Sequence, residues 1–245
     1  MPKFYSFKEV MTLAVTANRL IGGYVRQSTF YCLYETGGYD LDALSNKSII
    51  KYALLEENGK VTEAEQEAIS KLDINPTAED VATTDAICEY IEGLAMKALG
   101  GKFEGYEAEI YKIFEEDKLT TYHFGLIASF PKSFERIAKQ EKVELDVIKT
   151  CADSKWIAEP GSKVESKITV VNYIFSRNYN SHIYTAKTPE NNLVTFWSQK
   201  DTNELAPIGK TITIKGKVKR VGESRFYDGV KETMLNHVKK VPINC

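Results

Sequence analysis

Within AEPGSK, residues 158–163, the hydrophobic pattern of this chain changes its period. Upstream, apolar residues recur at helical spacing; downstream they alternate. A side chain returns to the same face of a helix every 3.6 residues and to the same face of a strand every two. One stretch cannot satisfy both periods, and the Pro160-Gly161 pair between them ends helical patterning. The chain is therefore read as α+β: a mainly helical part, residues 1–153, followed by a β part, residues 154–245, with the size and strand count of a small Greek-key barrel. A small sandwich and an SH3-like barrel have the same strand spacing and stay open.

Five strands are expected, KITVVNYIFSR (167–177), SHIYTAKT (181–188), NLVTFWSQK (192–200), TITIKGKVKRV (211–221) and KETMLNHVKKV (231–241). Asn-, Pro- and Gly-rich turns separate them. The fourth alternates most clearly. Ile212, Ile214, Gly216 and Val218 share one face, while Lys215, Lys217 and Lys219 share the other, with Arg220 beside them. Gly216 is expected where the strand bends under crowding. A lysine row fits a groove that follows a phosphate backbone; it equally fits a solvated edge strand guarded against aggregation.

The first strand places Val171, Tyr173, Phe175 and Arg177 at alternate positions and leaves Ile168, Val170 and Ile174 for the core. Tyr179, His182, Tyr184 and Trp197 lie in or beside the next two strands, and Arg225 and Tyr227 precede the last. Stacking a base on an aromatic ring contributes about 1–3 kcal/mol. Taken singly each ring is a packing residue; as a group among bases they suit single-stranded nucleic acid. In the last strand Met234 and Val238 are expected inward, with Lys231, His237 and Lys239 along the rim.

The helical part is marked by its caps. Ser6 with Glu9 opens a helix that stops at Gly22-Gly23, Thr62 with Glu65 opens another, and Asn75-Pro76-Thr77 opens a third that carries Ile87, Ile91, Leu94 and Ala98 to Gly100-Gly101. A further helix is expected in FPKSFERIAKQEKVELDVIKTCADSKW, capped by Ser133.

Charge divides with the period. From Pro160 onward there are 14 Lys and Arg against 7 Asp and Glu; the remainder holds 18 against 27. The basic part is the candidate for nucleic acid. No apolar stretch reaches the ~20 residues of a membrane span, and the N-terminus lacks the features of a signal peptide, so no membrane partner and a cytoplasmic location are expected. Cys32, Cys88, Cys151 and Cys245 are scattered without a Cys-x-x-Cys pair, and His123, His182 and His237 are too few for a histidine metal centre. No metal and no cofactor is expected. ALGGKFEG (98–105) lacks the Gly-Lys-Ser/Thr of a phosphate loop and reads as a helix stop. No nucleophile or acid–base pair emerges, so the chain is read as non-catalytic; an enzyme requires carboxylates of the helical part to converge in space.

Trp156, Gly161, Trp197, Gly209, Gly216, Val218, Lys219, Tyr227, Gly229, Lys231, Thr233, Leu235, Val238 and Lys239 form a pattern. It resembles a small OB-fold domain, similar to single-stranded DNA-binding modules, of tailed-bacteriophage proteins associated with replication. The resemblance covers roughly residues 154–241. It departs from that family at TAKTPENNLVTFW, where Pro-Glu-Asn-Asn stands in place of an acidic turn with Gly. The resemblance implies a barrel that binds single-stranded DNA in replication or recombination.

The function expected is non-catalytic binding of single-stranded nucleic acid, DNA foremost. Phosphates would lie on Arg177, Lys215, Lys217, Lys219, Arg220, Arg225 and Lys231, and bases on Tyr173, Phe175, Tyr179, Tyr184, Trp197 or Tyr227. The helical part would serve a protein partner or self-association. The alternative is a structural or adaptor protein whose barrel binds another chain.

Overall fold

The computed structural model describes residues 3–32, 39–55, 61–95, 103–200 and 205–242. The chain divides into two compact units, residues 1–137 and 138–245. The second takes in the end of the last helix, ahead of the boundary read from sequence at 153/154.

The first unit is mainly helical. Helix α1 (Phe7–Ile21) begins where Ser6 accepts the Glu9 amide and ends on Gly22, whose left-handed backbone, φ 74°, returns its N–H to Arg19. A two-stranded antiparallel hairpin follows, β1 (Thr29–Cys32) and β2 (Tyr39–Ala43), which the sequence reading did not anticipate. Then come α2 (Asn46–Leu54), α3 (Glu63–Ser70) and α4 (Ala78–Gly93). Complete capping boxes open the last two, Thr62 with Glu65 and Thr77 with Asp80, each side chain accepting the other residue's amide. The expected extension of α4 to Ala98 and Gly100-Gly101 lies outside the described residues.

After α5 (Tyr106–Glu116), α6 runs from Phe124 to Thr150 with Pro131 inside it. Ser133 is therefore not a cap; its hydroxyl donates to Ser129. A proline removes one helical hydrogen bond and crowds the preceding turn. The helix continues because Phe124, Ile127, Ala128 and Phe130 are all fully buried in the core of the helical unit with Val10, Met11, Ile50, Ile87 and Ile91.

The second unit is a closed five-stranded barrel with order β3-β4-β5-β7-β6. Its strands are β3 (Lys163–Ser176), β4 (Ser181–Lys187), β5 (Leu193–Ser198), β6 (Thr211–Glu223) and β7 (Lys231–Lys240). All pairs are antiparallel except β5 with β7, and β6 closes on β3. This is the OB-like barrel of an α+β protein. Ile168, Val170, Tyr184, Ala186, Val194, Phe196, Ile214, Val218 and Leu235 fill it. On the outside, Val147 and Cys151 at the end of α6 pack with Leu193, Tyr227 and Val230. The connector is pinned as well. Ser154 donates to the Lys231 carbonyl and accepts the Leu193 amide, and Lys155 and Ile157 donate to the side chains of Asn192 and Thr233.

Three bulges shape the barrel. The β3–β4 register slips at Val171; the β6–β7 register slips twice, at Lys219 on β6 and at His237 on β7, whose backbone has φ 53°. Gly216 lies opposite the second of these. A Cβ there would sit 3.2 Å from Val238 Cγ2 and 3.3 Å from the Asn236 carbonyl oxygen. Gly216→Val is therefore expected to lower barrel stability by about 1–3 kcal/mol through overpacking, read as a lower denaturant midpoint at unchanged slope. An unchanged midpoint would mean that the bulge yields freely.

Candidate nucleic-acid interface

The bulges decide which side chains reach the outer wall. At Val171 the extra residue reverses the alternation of β3, so Tyr173 and Phe175 continue the inner face begun by Ile168 and Val170 and run past the packed end of the barrel. They are 37% and 47% exposed. Ile174, expected in the core, is thereby turned outward and is exposed. Phe175 and Tyr173 lie 5.0 and 5.8 Å from the His182 ring, and Tyr173 lies 6.1 Å from Tyr184. Tyr184 itself is fully buried, stacked 5.2 Å from Phe196 with its hydroxyl donating to the Lys200 carbonyl. It belongs to the core and offers no face to a base. Tyr227 is likewise buried, its hydroxyl donating to Thr185. Parity alone did not show that the β6–β7 loop folds its tyrosine under and leaves Phe226 outside.

A basic and aromatic cavity of about 450 Å³ lies between the two loops through which OB-folds bind oligonucleotides. Tyr179 comes from the 3₁₀ turn Arg177–Tyr179 after β3, Trp197 from the end of β5, Lys219 and Arg220 from the bulge of β6, Arg225 from the β6–β7 loop, and Met234 from β7. Tyr179 is 70% exposed and meets Trp197 edge to face, with ring centres 5.2 Å apart. Trp197 is an outer-wall residue, since its neighbour Phe196 takes the core position. Arg177 is exposed in the same turn as Tyr179. Met234, expected inward, stands outside because Leu235 takes the core position; its sulfur accepts from Arg220 Nε at 3.5 Å.

Arg220 is held from below by a residue the sequence reading missed. Glu232 is buried, 4% exposed; it accepts from Arg220 Nη2 at 3.5 Å and from the Ser224 hydroxyl at 2.9 Å. A buried carboxylate under a half-exposed guanidinium keeps the cation in place and leaves its outer edge for a ligand. The one signal in sequence was an acidic residue at an inward-reading position of a basic strand.

The lysine row does not stay together. Lys215 and Lys217 line a separate cavity of about 540 Å³ with Lys163, Glu165, His237 and Lys239, floored by Val164 and Gly216. Lys219 lines the aromatic cavity instead, because the bulge at that residue breaks the alternation. Lys215 makes an exposed ion pair of 3.2 Å with Glu165, a contact of small energy. Lys231 is placed elsewhere, its ammonium 5.7 Å from the centre of the Trp156 ring. Since β6 is paired on both sides, these lysines guard no edge, and that explanation of the row is removed.

In the helical unit Asp85, Glu89, Glu92 and Asp117 line a cavity of about 480 Å³ with Lys8 and Cys88. Lys8 pairs with Asp85 at 2.6 Å, and burial pushes the Cys88 thiol up. Among the described residues no three His, Cys, Asp or Glu side chains are grouped to hold a metal ion, and no helix is long and apolar enough to cross a membrane. Comparison with protein-family models, with curated proteins and with solved structures finds no match to this chain.

Proposed function

We propose that this chain binds single-stranded nucleic acid, DNA foremost, without acting on it chemically, and does so in the cytoplasm. The observation that carries the reading is the cavity in which Tyr179 and Trp197 stand exposed beside Lys219, Arg220 and Arg225. Rings give every base a sequence-independent platform, and cations alongside neutralise the backbone. Exposed aromatics beside cations favour nucleic acid over the adaptor reading, since an adaptor barrel needs no such pairing. The resemblance of residues 154–241 to replication-associated phage domains supports replication or recombination as the setting. For the helical unit we retain association with a protein partner or a second copy, supported by the exposed Phe30 and Tyr31 of its hairpin.

The test is a titration of the full chain with single-stranded and duplex DNA across a salt series. Tight binding confined to single strands is expected, with log K falling against log salt by about 0.7 for each phosphate neutralised. Absence of binding even at low salt would put the adaptor reading first, and equal affinity for duplex would deny the aromatic cavity its role.

A further inference from the structure

The strand register sets the two cavities of the barrel next to each other. Lys217 pairs with Asn236 on one side and with Lys163 on the other. Asn236 is the residue after Leu235, and Leu235 pairs with Phe196, so Asn236 neighbours Trp197. Trp197, Asn236, Lys217 and Lys163 therefore form one row across β5, β7, β6 and β3 on the outer wall. Three strand spacings of 4.7–4.9 Å make this row roughly 14 Å long. It leads from the aromatic cavity at one end to the lysine cavity at the other.

Each part of the row points to an extended anion. Four ammonium groups around the second cavity face one carboxylate, Glu165, which is paired with Lys215. Their mutual repulsion is relieved by a bound anion. The wall bends there at the bulge of His237, opposite Gly216. Between the cavities, the Asn236 side-chain oxygen is buried and has no hydrogen-bond partner among the described residues. Buried acceptors are almost always paired, so an unpaired amide at the crossing marks a place where a ligand's donor would satisfy it once the side chain turns outward.

We infer that the lysine cavity is the second half of the same site: a nucleic-acid strand stacks on Tyr179 and Trp197, crosses the wall over Asn236, and seats its following phosphates among Lys163, Lys215, Lys217 and Lys239. The strand runs across the barrel strands, not along β6. The inference rests on the proposed single-strand binding, and its test separates the two.

Oligothymidylates of about 4 and about 16 nucleotides, the ends of the range of site sizes for OB-folds, are titrated against the parent, Lys217→Ala with Lys239→Ala, the same pair changed to Arg, and Trp197→Leu. The Ala pair is expected to leave the short oligonucleotide within twofold of the parent, to weaken the long one at least tenfold, and to reduce its salt slope by about 1.4, two phosphates at about 0.7 each. The Arg pair should restore the long oligonucleotide, while Trp197→Leu should weaken both. A parent that binds and an Ala pair that loses nothing, or loses equally at both lengths, would overturn the shared path and leave single-strand binding standing. Tripolyphosphate that fills the cavity without competing against the long oligonucleotide would overturn it too, by assigning the cavity to a free phosphate ligand. A parent that binds neither length would overturn the proposed function and this inference with it.

Discussion

Trp197→Leu combined with Tyr179→Leu is expected to weaken single-stranded DNA binding by about 1–3 kcal/mol for each base that loses its platform, roughly 5- to 150-fold in Kd per base. Leucine keeps apolar bulk and removes the π face. Both rings stand on the outer wall, Tyr179 in a turn and Trp197 at the end of β5, so thermal stability should hardly move. Tyr184→Leu is the matched control. Its ring is fully buried against Phe196 and its hydroxyl bonds the Lys200 carbonyl, so the change should cost about 2–4 kcal/mol of stability while the folded fraction still binds. Melting temperature and affinity measured on the same variants distinguish the cases. Stable Trp197 and Tyr179 variants with the parent's affinity would move the base platform to Tyr173 and Phe175 on the neighbouring hairpin.

The helical unit should be acid-sensitive, and Glu65→Ala should cost it about 2–4 kcal/mol: about 1 for the capping box and the rest for hydroxyls left unpaired in a buried site. Glu65 is 7% exposed. It accepts from the hydroxyls of Ser28 and Ser48 and from the Thr62 amide. Burial pushes its carboxyl up, but these bonds outweigh burial and leave it below the usual range. Asp80 repeats the pattern on α4: burial raises it, and Arg19 at 2.9 Å together with the Thr77 amide and hydroxyl brings it below its usual range. A folded-state pKa below the unfolded one means that the unfolded chain binds more protons. The stabilisation is then fully present above the ordinary carboxylate range, near pH 4, and is lost as pH falls through and below it. Unfolding followed by helical circular dichroism from neutral to acid pH should show this loss, and Glu65→Gln should flatten it. A profile identical in parent and variant would assign the acid response to other carboxylates.

The strands of the barrel were legible in advance because a strand's period is a local property. β3 to β7 fall within or close to the segments read from KITVVNYIFSR through KETMLNHVKKV. Ile212, Ile214 and Val218 point inward as their alternation implies, and Gly216 stands where no side chain fits easily. The capping pairs of α3 and α4 were equally plain, since a cap needs only two residues three apart. Two local signals misled. Pro131 and Ser133 suggested a helix start that the buried residues Phe124, Ile127, Ala128 and Phe130 before them overrode, and no local pattern announced the hairpin of β1 and β2.

The site was legible in its composition but not in its arrangement. Alternation assigns a face only while pairing stays in register, and a bulge depends on the partner strand as much as on its own residues. The slip at Val171 exchanged Ile174 for Tyr173 and Phe175. The slip at Lys219 sent that lysine to the aromatic cavity and separated it from Lys215 and Lys217. His237, with its left-handed backbone, kept Val238 inside while Leu235, not Met234, took the core position. The sequence by itself determined how many strands the barrel has, roughly where they lie and how basic their surface is. Closure of β6 on β3, the burial of Tyr184 and Tyr227, and the meeting of Tyr179 with Trp197 were decided by tertiary structure, because each depends on contacts between segments far apart in the chain that no local period records.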